Sequence, residues 1–141
     1  RPMLNAKNYN FSFSGLKTAV RYLLRDHATE YTIDVLRPFI AREFQHAVVE
    51  VLTKKTIRAA KEFGARTVVL GGGVAANRQL RISLSRTIEN KLPNTKYYVP
   101  DTKLTGDNAL MIAAAAYISP TTREWKDVSV NANHQIGELL Q

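Results

Sequence analysis

The sequence contains no cysteine and no long hydrophobic run. The absence of cysteine excludes disulfide frameworks, thiolate zinc sites and cysteine nucleophiles. No apolar stretch approaches the roughly 20 residues that a membrane-spanning helix needs, and no basic-then-apolar signal segment is found at the start of the sequence. We therefore expect a cytoplasmic protein that has no membrane association.

Common catalytic patterns are also absent. The sequence has no H-E-x-x-H or G-x-S-x-G motif, and it lacks both the G-x-G-x-x-G and the G-x-x-x-x-G-K-[ST] phosphate-binding patterns. The three histidines, His27, His46 and His134, are far apart and have no partner at the spacing of metal ligands. We therefore assign no catalytic residue, and nothing supports a protease, a Rossmann domain or a Walker-type ATPase.

The sequence does have a strong basic balance. Twenty Lys and Arg against twelve Asp and Glu give a net charge of +8 in 141 residues, of which +6 falls in residues 1–70. A positive surface favours encounters with nucleic acids, but a soluble basic protein without such a face is an equally good interpretation. The hydrophobic content of 45% excludes a disordered chain.

The spacing of apolar residues predicts the order helix, helix, strand, helix, strand, helix, which indicates an α/β domain. The apolar stripe predicted for the second helix comprises Ile40, Phe44, Ala47, Val48, Val51, Leu52, Ala59 and Phe63. On the third helix, Leu80, Leu84, Ile88 and Leu92 recur at four-residue spacing. Ser14 is predicted to cap the first helix. The second helix is predicted to begin between Asp34 and Pro38, because proline is tolerated in the first helical turn. Gly64 follows this helix, where a left-handed residue commonly closes a helix.

The two predicted strands cover residues 67–70 and 96–99. The first is short, β-branched and followed by glycines and a helix, which predicts a buried strand of a parallel sheet. Two strands are too few for a covered sheet. Either the opening segment and the tail add strands, or the sheet belongs to a larger protein.

The fourth predicted helix runs from about Asp107 to Ile118 and is rich in alanine. We expect its side chains Met111, Ile112 and Ala115 to face inward, with the alanines allowing a neighbouring element to approach closely. Residues 119–141 are predicted to form a partly ordered tail. The tail contains Trp125 as a small hydrophobic anchor, Val128 and Val130 as a possible short strand, and His134.

Three glycines, Gly71, Gly72 and Gly73, follow the first strand, and Asn77 is predicted to lie just inside the helix that comes after them. Glycines let the chain turn tightly and let a ligand touch the backbone, and a helix start offers free N–H groups. The Asn77 amide can both donate and accept, which suits a ribose or a base edge. Because one turn does not require three glycines, we favour a ligand site over a purely structural turn.

Two further segments hold polar residues at helix starts. Asp107 lies where the fourth helix begins, so it is predicted to be either a plain N-cap or a ligand for a metal or phosphate. The segment 10–18 has two serines, a glycine and a lysine leading into the first helix. A phosphate or RNA contact is conceivable there, but a cap and a tight turn explain most of that pattern.

The same three segments resemble the C-terminal part of a known family, the universal tRNA threonylcarbamoyladenosine synthases, formerly called glycoproteases or O-sialoglycoprotein endopeptidases. Residues 11–19 (FSFSGLKTA) resemble the FSFSGLKTA segment of the bacterial members. Residues 72–77 (GGVAAN), followed by Leu80-Arg81, resemble the GGVAAN…LR nucleotide-binding segment, and residues 107–113 (DNALMIA) resemble DNAAMIA. The resemblance covers about residues 1–118.

This resemblance implies that residues 1–118 form the C-terminal lobe of a two-domain fold of the actin, Hsp70 and sugar-kinase (ASKHA) type. It implies transfer of a threonylcarbamoyl group from threonylcarbamoyl-adenylate to N6 of the adenosine beside the tRNA anticodon. Asn77, with Gly72 and Gly73, would bind the nucleotide, either the adenylate or ATP. Asp107 would bind one divalent iron or zinc ion, together with two histidines of an H-x-x-x-H motif that this sequence lacks.

The resemblance further implies tRNA as a partner, together with the partner proteins of a threonylcarbamoyl-transfer complex, a paralogous ASKHA subunit and a small ATPase. Because the sequence starts at Arg1 and holds one metal ligand of three, we expect a fragment that is inactive alone. An actin-like ATPase or sugar-kinase nucleotide-binding lobe is the alternative interpretation. In that case Asp107 would act on Mg²⁺. A basic RNA-binding module without chemistry is a third.

Overall fold

The computed structural model describes residues 1–27, 30–120, 122 and 124–129. It confirms the predicted order of elements, and the described residues divide between Gly106 and Asp107 into two compact units. The helices and strands are α1 (Ser14–His27), α2 (Glu30–Glu62), β1 (Thr67–Val69), α3 (Arg78–Lys91), β2 (Lys96–Tyr98) and α4 (Ala109–Ile118). Among the helices in the described ranges, none has both the length and the apolar character that a bilayer span requires.

The two ends of α2 show one wrong prediction and one confirmed prediction. The helix begins at Glu30, so Pro38 lies inside it and not in its first turn. Proline removes one backbone hydrogen bond, but the helix propagates on both sides of the gap. At the other end, Gly64 has φ +58° as expected, and the Ala65 N–H donates to the Ala60 carbonyl (2.9 Å). This pattern is a Schellman motif.

The first unit is held together by packing of α2 against α3. The predicted stripe on α3 is confirmed, because Leu80, Leu84 and Ile88 are all buried. Leu80 and Leu84 form a core cluster with Val49 of α2. Leu52, Leu70 and Tyr97 pack around this cluster, so Leu70, directly after β1, and Tyr97 of β2 share one core with both helices.

The sheet is parallel, as predicted, with Thr67 opposite Lys96 and Val69 opposite Tyr98. The prediction that β1 is buried is wrong for the described chain, since Val69 is 69% exposed and Thr67 is exposed as well. Burial of a parallel strand needs covered faces and further strands. The opening segment, residues 1–13, contributes no strand.

The segment before α1 is hydrogen-bonded to two cationic side chains of α2, Lys55 and Arg58. The Lys55 ammonium donates to the Asn10 carbonyl (2.6 Å), and the Arg58 guanidinium donates to the carbonyls of Ala6 (2.9 Å) and Asn8 (2.7 Å). Lys55 is only 1% exposed, and desolvation lowers the pKa of its ammonium. These bonds fix the path of the chain into α1.

Ser14 is the first residue of α1, so the prediction that it precedes the helix as a cap is wrong. Its hydroxyl lies 3.1 Å from the hydroxyl of Ser12, and its carbonyl accepts from Thr18 Oγ1 (3.1 Å). The hydroxyls of Ser12, Ser14 and Thr18 are thus bonded within this segment, but Ser14 lies inside the helix and not at the predicted cap position.

The second unit contains α4, and its apolar side chains are exposed. Met111, Ile112 and Ala115 are all solvent-accessible, so the prediction that they face inward is wrong for the described chain. Trp125 is also exposed, in a short 3₁₀ turn, so within the described residues the prediction that it is a hydrophobic anchor is wrong. Val130 and His134 lie outside the described residues.

Candidate nucleotide-binding site

The glycine segment forms a turn between β1 and α3. Gly72 has φ +75° and ψ 176°, and residues Gly73–Ala76 then form a 3₁₀ turn in which Ala75 is fully buried. The Arg81 guanidinium donates a short hydrogen bond to the Ala75 carbonyl. Arg81, in the first turn of α3, therefore holds the glycine turn in place.

Only Gly72 among the three adjacent glycines needs to be glycine for the backbone. Its φ and ψ lie in a region that is essentially restricted to glycine, whereas Gly71 and Gly73 have no positive φ. A Cβ at any of the three positions would meet no atom within 4 Å. The run is thus longer than the turn requires, and it leaves bare backbone facing open space.

We expect Gly72→Ala to lower the free energy of unfolding by about 1–3 kcal/mol, because a Cβ is strained in this conformation. Gly73→Ala is the matched control. It adds the same methyl group in open space without positive φ, so it is expected to unfold close to the unsubstituted chain. Urea unfolding followed by circular dichroism measures both, and equal midpoints for the two variants would contradict the assignment.

Asn77 is the N-cap of α3 and not a residue inside the helix, which corrects the position predicted for it. Its side-chain Oδ1 accepts from the Leu80 N–H (3.0 Å), and its Nδ2 donates to Oε1 of Gln45 on α2 (3.3 Å). An amide has two donor hydrogens and two acceptor lone pairs. Each polar atom of Asn77 therefore keeps one free bonding direction.

Asn77 and Gln45 both line a pocket of about 610 Å³ between α1, α2 and the glycine turn. Its volume lies within the range of small-molecule sites. Most of the lining is apolar and includes Ile40, Phe44 and Val48 of α2. The sequence interpretation had placed these three side chains on the core-facing stripe of the helix, so the pocket itself was missed. A helical stripe cannot show by itself which of its turns is left uncovered.

Asp107 does not cap α4, so the first of its two predicted roles, that of a plain N-cap, is wrong. The cap is Asn108, whose Oδ1 accepts from the Met111 N–H (3.0 Å). The Asp107 carboxylate is exposed and, among the described residues, forms neither a hydrogen bond nor an ion pair. The same residues contain no group of three or more His, Cys, Asp or Glu able to hold a metal. The Asp107 carboxylate is thus exposed, and the described residues form no metal site around it.

Comparison with known proteins identifies the family. The sequence profile of a family described as tRNA N6-adenosine threonylcarbamoyltransferase matches residues 1–114. A curated relative of that name from Lactobacillus johnsonii is 46% identical over 136 residues, which cover 94% of this chain. Relatives of the same name from Thermosipho africanus and Ralstonia pickettii are each 48% identical, over 83% and 82% of the chain.

The chain spans 38%, 34% and 33% of the length of these three relatives. The profile match extends from the opening segment through the glycine turn, Asn77 and Asp107 into α4. This chain therefore belongs to the tRNA N6-adenosine threonylcarbamoyltransferase family.

Proposed function

We propose that this chain is one lobe of a cytoplasmic tRNA-modifying transferase of the ASKHA type. The activity is transfer of a threonylcarbamoyl group from threonylcarbamoyl-adenylate to N6 of the adenosine beside the tRNA anticodon. Family membership supports the reaction, and one observation of geometry supports the role of this lobe. Asn77 lies beside the glycine turn and lines an apolar pocket of about 610 Å³.

In this proposal the pocket holds the adenosine part of the adenylate or of ATP. The side chains of Ile40, Phe44 and Val48 give an apolar surface for a purine ring. Asn77 supplies an amide beside that surface for the ribose or a base edge. The backbone at Gly72 and Gly73 is free of side chains and allows close approach of the rest of the ligand.

Asp107 would hold one iron or zinc ion together with two histidines from outside this chain. Its exposed carboxylate, which caps no helix, fits that role. A metal bound there would supply Lewis-acid polarisation of the carbamoyl carbonyl. The net charge of +8 favours tRNA as the acceptor. A paralogous ASKHA subunit and a small ATPase are the proposed protein partners.

The proposal is tested with two forms of the protein. One is this chain alone, and the other, termed the fusion protein, joins it to the part of the L. johnsonii relative that lies outside the matched 136 residues. We expect the fusion protein to modify tRNA and the chain alone to be inactive, because the site needs residues from both parts. Threonylcarbamoyl transfer by the chain alone would overturn this division of the site.

The structure also determines which variant of Asn77 to use. Asn77→Ala would remove the cap of α3 and destabilise the chain by about 0.5–2 kcal/mol. Asn77→Ser keeps a capping side chain and removes the amide, so it separates binding from stability. We expect Asn77→Ser to weaken adenine-nucleotide binding by the fusion protein without changing its thermal midpoint. Mg²⁺-dependent phosphoryl transfer, with no threonylcarbamoyl transfer, would support the sugar-kinase or actin-like alternative instead.

A further inference from the structure

The Asn77 amide is oriented from two sides. Its Oδ1 accepts from the backbone of Leu80 at 3.0 Å, and its Nδ2 donates to Oε1 of Gln45 at 3.3 Å. Rotating the amide by half a turn would place its NH₂ group against the Leu80 N–H and its oxygen against Gln45 Oε1. The contact with the Leu80 N–H is repulsive whatever Gln45 does, so Leu80 selects the orientation, and Gln45 Oε1 then restrains the Nδ2 group.

Of the two partners of the Asn77 amide, only Gln45 bonds through its side chain. The Leu80 N–H belongs to the first turn of α3 and would be present whatever side chain stood at that position. The Gln45 acceptor comes from a different helix, 32 residues earlier in the chain. Gln45 also lines the pocket next to Phe44 and is exposed, so it has little part in the core.

We propose that Gln45 is a positioning residue for adenosine in this pocket. The side-chain oxygen of Gln45 accepts one N–H of Asn77 Nδ2. The second N–H of that amide, at the pocket wall, therefore keeps a fixed direction. This inference rests on the proposed function, because it takes adenosine as the ligand. Without Gln45 Oε1, the Asn77 amide loses one of its two restraints, and part of the binding free energy goes into ordering it.

The test uses the fusion protein with adenosine as the probe, since an uncharged ligand is not repelled by an introduced carboxylate. Gln45→Met keeps the length of the side chain and removes the acceptor. It is expected to weaken adenosine binding about 2- to 10-fold, the range that the loss of one hydrogen bond gives. Gln45→Glu retains an acceptor oxygen and is expected to bind within about twofold of the unsubstituted protein.

A double-substitution cycle separates positioning from general structure. If Gln45 acts through Asn77, adding Gln45→Met to Asn77→Ser produces no further loss of affinity. Arg42→Met is the control, because Arg42 is exposed on the same helix and does not line the pocket. It should leave adenosine binding unchanged. Isothermal titration calorimetry measures all six affinities, that of the unsubstituted fusion protein and those of the five variants, and thermal midpoints check that the variants fold.

The outcomes are distinct. Weaker binding by Gln45→Met, rescue by Gln45→Glu and non-additivity with Asn77→Ser would support the inference. Unchanged binding by Gln45→Met, or additive losses in the double variant, would overturn it while leaving the proposed function intact. Absence of adenosine binding by the unsubstituted fusion protein would overturn the proposed function itself, and with it the role of Gln45.

Discussion

Leu84→Ala is expected to lower the free energy of unfolding of this chain by about 2–5 kcal/mol. Leu84 is 2% exposed and belongs, with Leu80, to the cluster that joins α3 to Val49 of α2. Truncation removes the transfer free energy of the buried methyl groups and leaves a cavity between two helices that cannot both relax. The loss is a large fraction of the 5–15 kcal/mol that stabilises a typical domain.

Urea unfolding monitored by circular dichroism measures this effect. Arg86→Ala is the matched control, because Arg86 lies on the same helix and is exposed. It is expected to stay within about 0.5 kcal/mol of the unsubstituted chain. Equal unfolding midpoints for the two variants would show that α3 does not pack through Leu84, and the description of the core would then be wrong.

Asp107→Asn is expected to remove iron or zinc from the fusion protein and to abolish most threonylcarbamoyl transfer. The loss of activity should exceed the roughly 10- to 100-fold that follows removal of a group behind a metal ligand, because Asp107 is proposed to bind the metal directly. The α4 cap is Asn108, so this substitution leaves the helix start intact. A folding defect is therefore not expected to confuse the result.

Elemental analysis of the purified fusion protein gives the metal content, and a tRNA modification assay gives the activity. Asp101→Asn is the control. The Asp101 side chain accepts from the Lys103 N–H (2.9 Å), and asparagine can keep that bond. It should retain the metal. Full metal content in Asp107→Asn would refute the assignment of Asp107 as a ligand, even if activity were lost.

Local patterns in the sequence predict the elements of this fold well. The four-residue spacing on α3 and the glycine after α2 each correspond to a feature of a single helix, and both are confirmed. The errors at β1 and α4 concern what covers each element. The apolar pattern of β1 and α4 describes surfaces suited to burial, but Val69 and Met111 are exposed in this chain. Periodicity shows that a face is apolar and not which segment packs on it.

The candidate site shows the same division. Residue type and position made Asn77 and Asp107 candidates, but Asn77 was placed inside its helix, and the cap, one of the two roles open to Asp107, was wrong. Asn77 is the cap of α3, and Asn108 takes the cap position predicted for Asp107. Adjacent capping residues compete for the same free N–H groups, and sequence position alone does not select the winner. Gln45 was missed because its contact with Asn77 spans 32 residues.

The short parallel sheet has a practical consequence for handling the isolated chain. Within the described ranges, β1 and β2 pair only with each other, so each strand has an edge without a strand partner, next to the exposed side chains of Val69 and Tyr98. Open strand edges beside apolar side chains are templates for aggregation. Concentrated stocks of the chain alone are therefore expected to precipitate. Purification at low concentration, or as the fusion protein, should keep the chain soluble.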